Sequence, residues 1–263
     1  MKFFTGLIVA VVIAYGAFRA HSLSRSGAFA AVVVGSVIFG IGGWQWAVLL
    51  LTFFISSSLL TRAFKQQKTG LNEKFSKGGQ RDAGQVFGNG GLATLFAGLS
   101  YFRPDDPRLW LAFAAVLAAV NADTWATELG VLNPKPPRLI THPARRVEKG
   151  TSGGISLVGT FAALAGAGLI GILGAILAPS GISWTTFLVV TLAGLLGSLF
   201  DSLLGATVQA IYRCPSCDKE TERFPLHICG TPTVQIRGWK WLDNDWVNFA
   251  CGLFAAVTAL LLS

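Results

Sequence analysis

Four long stretches of the chain contain no charged side chain, and they decide what kind of protein it can be. These windows are 27–61, 83–102, 150–200 and 246–263. Each is long enough for one or two helices that cross roughly 30 Å of hydrocarbon. The whole chain is 52% hydrophobic and only 13% charged, which excludes a water-soluble domain. The sequence therefore predicts an all-α protein, a polytopic bundle of membrane helices.

Glycine and proline divide the longer windows into single spans. The breaks fall at Gly42-Gly43-Trp44 and at Pro179-Ser180-Gly181. The eight predicted spans are about 3–20, 27–42, 45–61, 84–102, 109–129, 154–178, 184–211 and 246–263. The first span resembles a secretory signal, but a second apolar run follows it almost at once, so we expect the first helix to be retained.

Positive charge is concentrated in alternate loops of this arrangement. Of the 21 Lys and Arg residues, all but Lys2, Arg103 and Arg108 lie in the first, third, fifth and seventh loops. This distribution is typical of a membrane protein and argues against a nucleic-acid partner for the net charge of +8. The positive-inside rule places the odd loops in the cytoplasm and both termini outside, in a cytoplasmic membrane. We expect a single domain, 1–263, whose longer cytoplasmic loops are 62–83, 130–153 and 212–245.

Several acids lie in or next to the apolar spans. Asp123 and Glu128 belong to the stretch NADTWATELG, Asp201 lies in the seventh span, and Asp245 begins the eighth. An ionised group in hydrocarbon is costly unless a cation or a water-filled cavity meets it, so these acids indicate a site. The alternatives are that 121–130 is only the polar end of a helix and that Asn244 or Asp245 is a helix cap.

Polar and basic groups accompany the acids on the same side of the predicted bundle. Some are amides within the spans, and the alternative for these is that they form hydrogen bonds between helices. Others are basic residues before a glycine-rich run, which suits phosphate but also fits a plain turn with anchoring arginines. The amides and their neighbours are Arg81, Gln85, Asn89, Asn121, Gln209, Asn244 and Asn248; the loop-five group is Arg145, Arg146, Lys149, Thr151, Gly153 and Gly154. Their convergence predicts one site that faces the cytoplasm.

A faint internal repeat is also predicted. Asn89-Gly90-Gly91 begins one hairpin that ends in Asp123-Thr124, and Gly153-Gly154 begins another that contains Asp201-Ser202. Both hairpins would cross the membrane in the same direction, as parallel repeats do.

The seventh loop contains four potential metal ligands. They are Cys214, Cys217, His227 and Cys229, the number that a closed structural zinc site requires. A cytoplasmic location disfavours disulfides, although a redox pair and unliganded thiols remain alternatives. Cys251 lies inside the last span and is interpreted as a packing residue.

Six motifs together resemble one known membrane family. They are RDAGQVFGNGG, NADTWATELG, RRVEKGTSGGIS, FDSLLGATVQ, CPSC…HICG and NDWVN, in this order along the chain. The family was long catalogued as a domain of unknown function, and its best understood members are phytyl-phosphate kinases of tocopherol and chlorophyll-phytol salvage. The resemblance implies a kinase that converts an isoprenyl monophosphate to the diphosphate with a nucleoside triphosphate, CTP, and Mg²⁺.

The candidate residues suit that chemistry, in which alignment and charge neutralisation matter most. Asp123, Glu128 and Asp201, with Asp245 as a fourth acid, would hold Mg²⁺, and the basic and polar groups named above would bind phosphate and nucleotide. The implied partners are a prenyl-phosphate lipid, the nucleotide and membrane lipids. Two alternatives remain open: a transporter with an intramembrane acidic ion site, and a lipid-phosphate cytidylyltransferase.

Overall fold

Eight α-helices form the bundle over the residues that the computed structural model describes, which are 2–67, 74 and 77–263. The helices are α1 (Lys2–Arg19), α2 (Arg25–Val37), α3 (Trp44–Ala63), α4 (Ala83–Leu99), α5 (Pro107–Gly130), α6 (Leu157–Ile176), α7 (Trp184–Thr207) and α8 (Asn244–Leu262). A π-helical turn, Ile38–Gly42, continues α2. The eight predicted spans are confirmed as helices, whereas residues 68–73, 75 and 76 of the predicted loop 62–83 lie outside the described residues.

Length and composition separate the helices into two groups. Six are long and apolar enough to cross a membrane when α2 is counted with its π-helical turn. The apolar part of α1, Phe3–Arg19, is shorter, and α4 has 17 residues. The predicted membrane-helix fold is confirmed.

Helix α5 is the centre of the bundle. Every residue from Trp110 to Ala122 is buried, and α3, α4, α6, α7 and α8 all pack against it. Alanines supply much of this surface, and small side chains let membrane helices approach closely. Helices α1 and α2 lie further out and pack against each other.

The contact between α5 and α7 positions two of the predicted acids. A Cβ on Gly197 would lie 2.7 Å from the Cβ of Ala119, so the two backbones meet where only glycine fits. Asp201 follows Gly197 by four residues, and Asp123 follows Ala119 by four. Residues four apart share a helix face, and both helices run in the same direction through the bundle. The two acids therefore lie one turn beyond the contact, on facing sides.

Two small antiparallel sheets were not predicted. In loop five, β1 (Arg138–Leu139), β2 (His142–Arg146) and β3 (Gly154–Ile155) form a sheet in the order β2-β1-β3. In loop seven, β4 (Ile211–Cys214), β5 (Lys219–Thr221) and β6 (Val234–Arg237) form a sheet in the order β5-β4-β6. These strands shorten the predicted sixth and seventh spans, because β3 pairs with β1 before α6 begins and β4 starts soon after α7 ends.

Helix caps explain where several helices begin. Asp82 and Gln85 form a capping box at the start of α4, which satisfies backbone N–H groups that have no partner within the helix. Ser156 caps α6 through the N–H of Gly159 at 3.1 Å. Asp243 caps α8, so neither Asn244 nor Asp245 is the cap that the sequence left open.

Candidate active site

A cavity of about 960 Å³ occupies one end of the bundle, where loops one, three, five and seven meet. We call this the polar end. Thirteen of the predicted site residues line it: Arg81, Gln85, Asn89, Asp123, Glu128, Lys149, Thr151, Gly153, Gly154, Asp201, Gln209, Asn244 and Asn248. Asn121, Arg145, Arg146 and Asp245 are not among the lining residues. Most of the groups that the sequence singled out thus meet in one space.

Three carboxylates form the acidic wall of the cavity. Asp123 on α5, Asp201 on α7 and Glu222 in loop seven all line it, and they lie close enough to act electrostatically on one another. Among the described residues, no Lys or Arg forms an ion pair with Asp123 or Asp201. The Oδ2 atom of Asp201 is buried and has no hydrogen-bond partner within the described part of the chain. Such a group of acids fits a divalent cation.

Glu222 is a site residue that the sequence reasoning missed. It follows β5 directly, and its Oε1 accepts hydrogen bonds from Ser152 Oγ at 2.8 Å and from Gln209 Nε2 at 3.0 Å. Its backbone N–H donates to the carbonyl of Lys74 at 2.8 Å. Loops three, five and seven are therefore joined at this one residue. The only available signal was an acid between the two halves of the Cys/His motif.

Arg81 lines the cavity from the segment that precedes α4. Its backbone bonds to both Ser22 and Ser24, and its guanidinium carbon lies 5.2 Å from the centre of the Phe53 ring. Helix α2 approaches this strand-like segment so closely that a Cβ on Gly27 would lie 2.0 Å from the Arg81 carbonyl oxygen. Only glycine permits that approach, so the start of α2 fixes the position of Arg81.

Glu128 lies near Arg81 rather than with the other acids. It is buried, its Oε1 accepts a hydrogen bond from Thr61 Oγ1 at 2.8 Å, and its charge acts on Arg81. The predicted set of metal ligands is therefore divided by the structure. Asp123 and Asp201 stay together, Glu222 joins them, and Glu128 serves as a counter-charge to the buried guanidinium.

Asp245 has a different environment from the one predicted for it. Its carboxylate is ion-paired with Lys77, whose ammonium also contacts Asp82 at 2.9 Å. Burial of Lys77 opposes its protonation, but the hydrogen bonds to Asp245 and Asp82 prevail and raise its pKa. Lys77 itself lines the cavity. Asp245 thus ties the start of α4 to α8, behind the cavity wall.

Asn121 is a packing residue rather than part of the cavity. It is completely buried, and its Nδ2 donates to the carbonyl of Gly166 at 2.8 Å. Its Oδ1 accepts from Ser56 and Ser57 on α3. Asn121 and Glu128 are seven residues apart and share the face that α5 turns toward α3.

The glycine-rich run of loop five lies one turn before α6. Gly153 has φ +83°, and a Cβ there would lie 2.5 Å from Ala206 Cβ, so the turn is docked on the end of α7. Lys149 lines the cavity and donates to the carbonyl of Val131 at 2.7 Å. Arg145 and Arg146 lie on β2, whose residues are all exposed. They are therefore outside the group of cations around the cavity.

The four predicted zinc ligands lie together in loop seven. One ligand atom from each of Cys214, Cys217, His227 and Cys229 lies within 4.8 Å of the others. Nε2 of His227 is buried, and none of the residues that the structure describes forms a hydrogen bond with it. Contacts with Thr231 and His227 lower the pKa of Cys229 to about 5. The chemistry and spacing of this group fit Zn²⁺, and none of its four residues lines the cavity.

Both basic and acidic side chains line the cavity. Among the described residues, six basic side chains line it: Arg62, Lys65, Lys77, Arg81, Lys149 and Arg223. The acids Asp123, Asp201 and Glu222 line the same space. Basic groups suit phosphate oxygens, while carboxylates suit the Mg²⁺ that accompanies nucleotide phosphates.

Comparison with known proteins gives relatives along nearly the whole chain. PGR of Arabidopsis thaliana is 34% identical over 98% of this chain and 94% of its own length. An uncharacterized membrane protein of Methanocaldococcus jannaschii is 33% identical over 78% of this chain and 83% of its own. The chloroplastic protein VTE6 of Arabidopsis thaliana is 26% identical over 91% of this chain and 65% of its own.

No solved structure matches the chain. The family described as integral membrane protein DUF92 matches residues 8–256. Since this match includes all but the two ends, the chain belongs to the DUF92 family of integral membrane proteins.

Proposed function

We propose that this membrane protein is an isoprenyl-monophosphate kinase, which transfers a phosphoryl group from a nucleoside triphosphate to a membrane-embedded prenyl phosphate. One observation carries the proposal. A single cavity at the end of a membrane bundle combines three neighbouring carboxylates with six basic side chains. The likeness to phytyl-phosphate kinases in the sequence motifs, and the relative VTE6, agree with this function. CTP is the nucleotide that the resemblance implies.

The side chains match what this transfer requires. The acceptor is already an anion, so no strong general base is needed, and catalysis rests on alignment and charge neutralisation. Asp123, Asp201 and Glu222 would hold Mg²⁺, which when bound offsets the negative charge of the nucleotide phosphates. Arg81 and Lys149 would bind phosphate oxygens in the same cavity.

Two positions of an isotope label in CTP distinguish this function from its alternatives. Purified protein in lipid nanodiscs would receive Mg²⁺, geranylgeranyl monophosphate and CTP labelled at either the γ- or the α-phosphate. A kinase transfers only the γ-label to the lipid and releases CDP. A cytidylyltransferase transfers only the α-label and releases pyrophosphate.

Absence of both labels from the lipid, with folded protein and with ATP and GTP tested as donors, would contradict the proposal. That result would favour an acidic ion site in a transporter, the alternative that the sequence left open.

A further inference from the structure

A second cavity, almost entirely apolar in its lining, lies between the outer helices of the bundle. It has a volume of about 220 Å³ and is enclosed by side chains of α1, α2, α3 and α4. Small residues make up much of its wall, including Ala10, Ala14, Ala31, Gly35 and Ala47. We call it the apolar groove. It is separate from the α5–α7 interface that holds the acids.

The apolar groove adjoins the polar cavity. Arg81, Gln85 and Asn89 line both spaces, so the apolar and the charged space share one boundary. Nη1 of Arg81 is buried and has no hydrogen-bond partner among the described residues. A guanidinium donor at the junction of an apolar and a charged space suits the phosphate of an amphiphile.

The depth of Arg81 supports the same interpretation. Its guanidinium lies over the rings of Phe53 and Phe54 at 5.2 and 5.3 Å. Phe54 lies nine residues before the end of α3 at Ala63, which is about 14 Å along the helix axis. The guanidinium thus reaches below the polar end of α3, although the backbone of Arg81 lies before the start of α4. A cation at that depth of a membrane bundle is expected to be functional.

We infer that the apolar groove holds the hydrocarbon chain of a single-chain lipid monophosphate, with the phosphate placed at Arg81. The inference deepens the proposed function, on which it rests for turnover, but binding of the lipid can be measured without any reaction. In this arrangement the acceptor lipid binds between α1, α2, α3 and α4. The nucleotide binds in the part of the polar cavity that α5, α7 and loop seven form.

The dimensions of the groove favour one chain. Its wall on α3 extends from Trp44 to Phe54, about 15 Å along the helix and thus about half of the hydrocarbon thickness. The volume of about 220 Å³ lies below the range of roughly 300–1,000 Å³ typical of small-molecule pockets. A two-chain phospholipid is therefore a poorer fit than an isoprenyl phosphate.

A pair of substitutions on α3 tests the groove directly. Ala47→Phe fills the slot, whereas Ile55→Phe adds the same ring to an exposed position of the same helix. Native mass spectrometry would measure binding of geranylgeranyl monophosphate, geranylgeraniol and phosphatidic acid. We expect Ala47→Phe to weaken binding of geranylgeranyl monophosphate at least about tenfold, while Ile55→Phe and the unsubstituted protein bind it equally well.

The phosphate end has its own test. Arg81→Gln should remove the preference for geranylgeranyl monophosphate over geranylgeraniol, and CTP binding should persist in Ala47→Phe. If Ala47→Phe does not fold, the smaller Ala31→Leu gives the same comparison.

Equal binding by the groove-filled and control variants would overturn the inference, as would a preference for phosphatidic acid. Specific lipid binding without label transfer from CTP would instead leave the groove intact and contradict the kinase proposal.

Discussion

Asp123 and Asp201 lie on facing sides of one helix contact, and neither forms an ion pair with a basic residue that the structure describes. Asp123→Asn and Asp201→Asn keep the shape of each side chain but remove its charge. We expect each to lower prenyl-diphosphate formation by about 10²-fold or more, measured as γ-label transfer, without loss of helix content in circular dichroism. Asp105→Asn, at an exposed position in the loop before α5, is the matched control. Retained activity in both variants would contradict the assignment of Asp123 and Asp201 as ligands of Mg²⁺.

Glu222 offers a sharper comparison, because another acid lies two residues earlier in the same hairpin. Glu222 lines the cavity, whereas Glu220 lies on the exposed part of β5. Glu222→Gln should reduce turnover by about 10-fold or more and raise the Mg²⁺ concentration needed for half-maximal rate. Glu220→Gln should change neither quantity. Equal effects of the two substitutions would show that the hairpin's net charge matters rather than a specific ligand.

Asn121 should affect stability rather than chemistry. Asn121→Ala removes hydrogen bonds from α5 to both α3 and α6, which we expect to destabilise the protein by about 1 kcal/mol. The melting temperature in detergent should fall, while turnover per folded molecule stays near that of the unsubstituted protein. A normal melting temperature with lost nucleotide binding would restore the role that the sequence predicted for it.

The sequence predicts the presence of site residues better than their partners. A charged residue within an apolar helix is visible in the sequence. Asp123, Glu128 and Asp201 could therefore be identified from the free-energy cost of an ionised group in hydrocarbon. Which carboxylate meets which cation depends on tertiary packing, and Glu128 faces Thr61 and Arg81 for that reason. Glu222 lies in a polar loop, where an acid is ordinary, so its place within the Cys/His motif is only a weak signal.

At the level of elements, helices and strands differ in how well they could be predicted. Charge-free runs of about 20 residues have few structural solutions in a membrane, so all eight helices were expected. The strands are two to five residues long and lie in polar loops without apolar alternation, so no periodic pattern identifies them. The predicted parallel repeat of α4–α5 and α6–α7 stays a prediction.

The loop-seven sheet supports a prediction about zinc. β4 and β5 bring Cys214 opposite Lys219 and continue directly to Glu222. Elemental analysis of protein purified without chelator should find about one zinc per chain. Removing it, or substituting Cys214→Ser, should loosen the hairpin that presents Glu222 and so lower turnover, while the helix content stays unchanged.

Cys251→Ser is the control for zinc content, since Cys251 is buried on α8 and is not one of the four candidate ligands. Protein that contains no zinc yet is fully active would contradict the assignment.

The bundle as a whole makes a prediction about orientation. Loops one, three, five and seven all contribute to the same cavity. This is the arrangement expected when all eight helices cross the membrane and both termini lie on the side away from the cavity. The excess of Lys and Arg in these loops predicts that they face the cytoplasm. In a bacterial host, alkaline phosphatase fused after Ser263 should therefore be active, and a fusion in the loop before α6 should be inactive. The reverse pattern would invert the predicted topology.

The burial of α5 from Trp110 to Ala122 has a consequence for biogenesis. A ribosome delivers this helix to the bilayer before α6, α7 and α8 have been synthesised, so the alanine surface that they will cover first meets lipid. Glu128 already has Thr61 on α3 as a partner at that stage, whereas we expect Asp123 to remain near the head groups until α7 docks. The polar cavity is then the last part of the molecule to be assembled, and a chain truncated before α8 would lack the part of its lining that Asn244 and Asn248 supply.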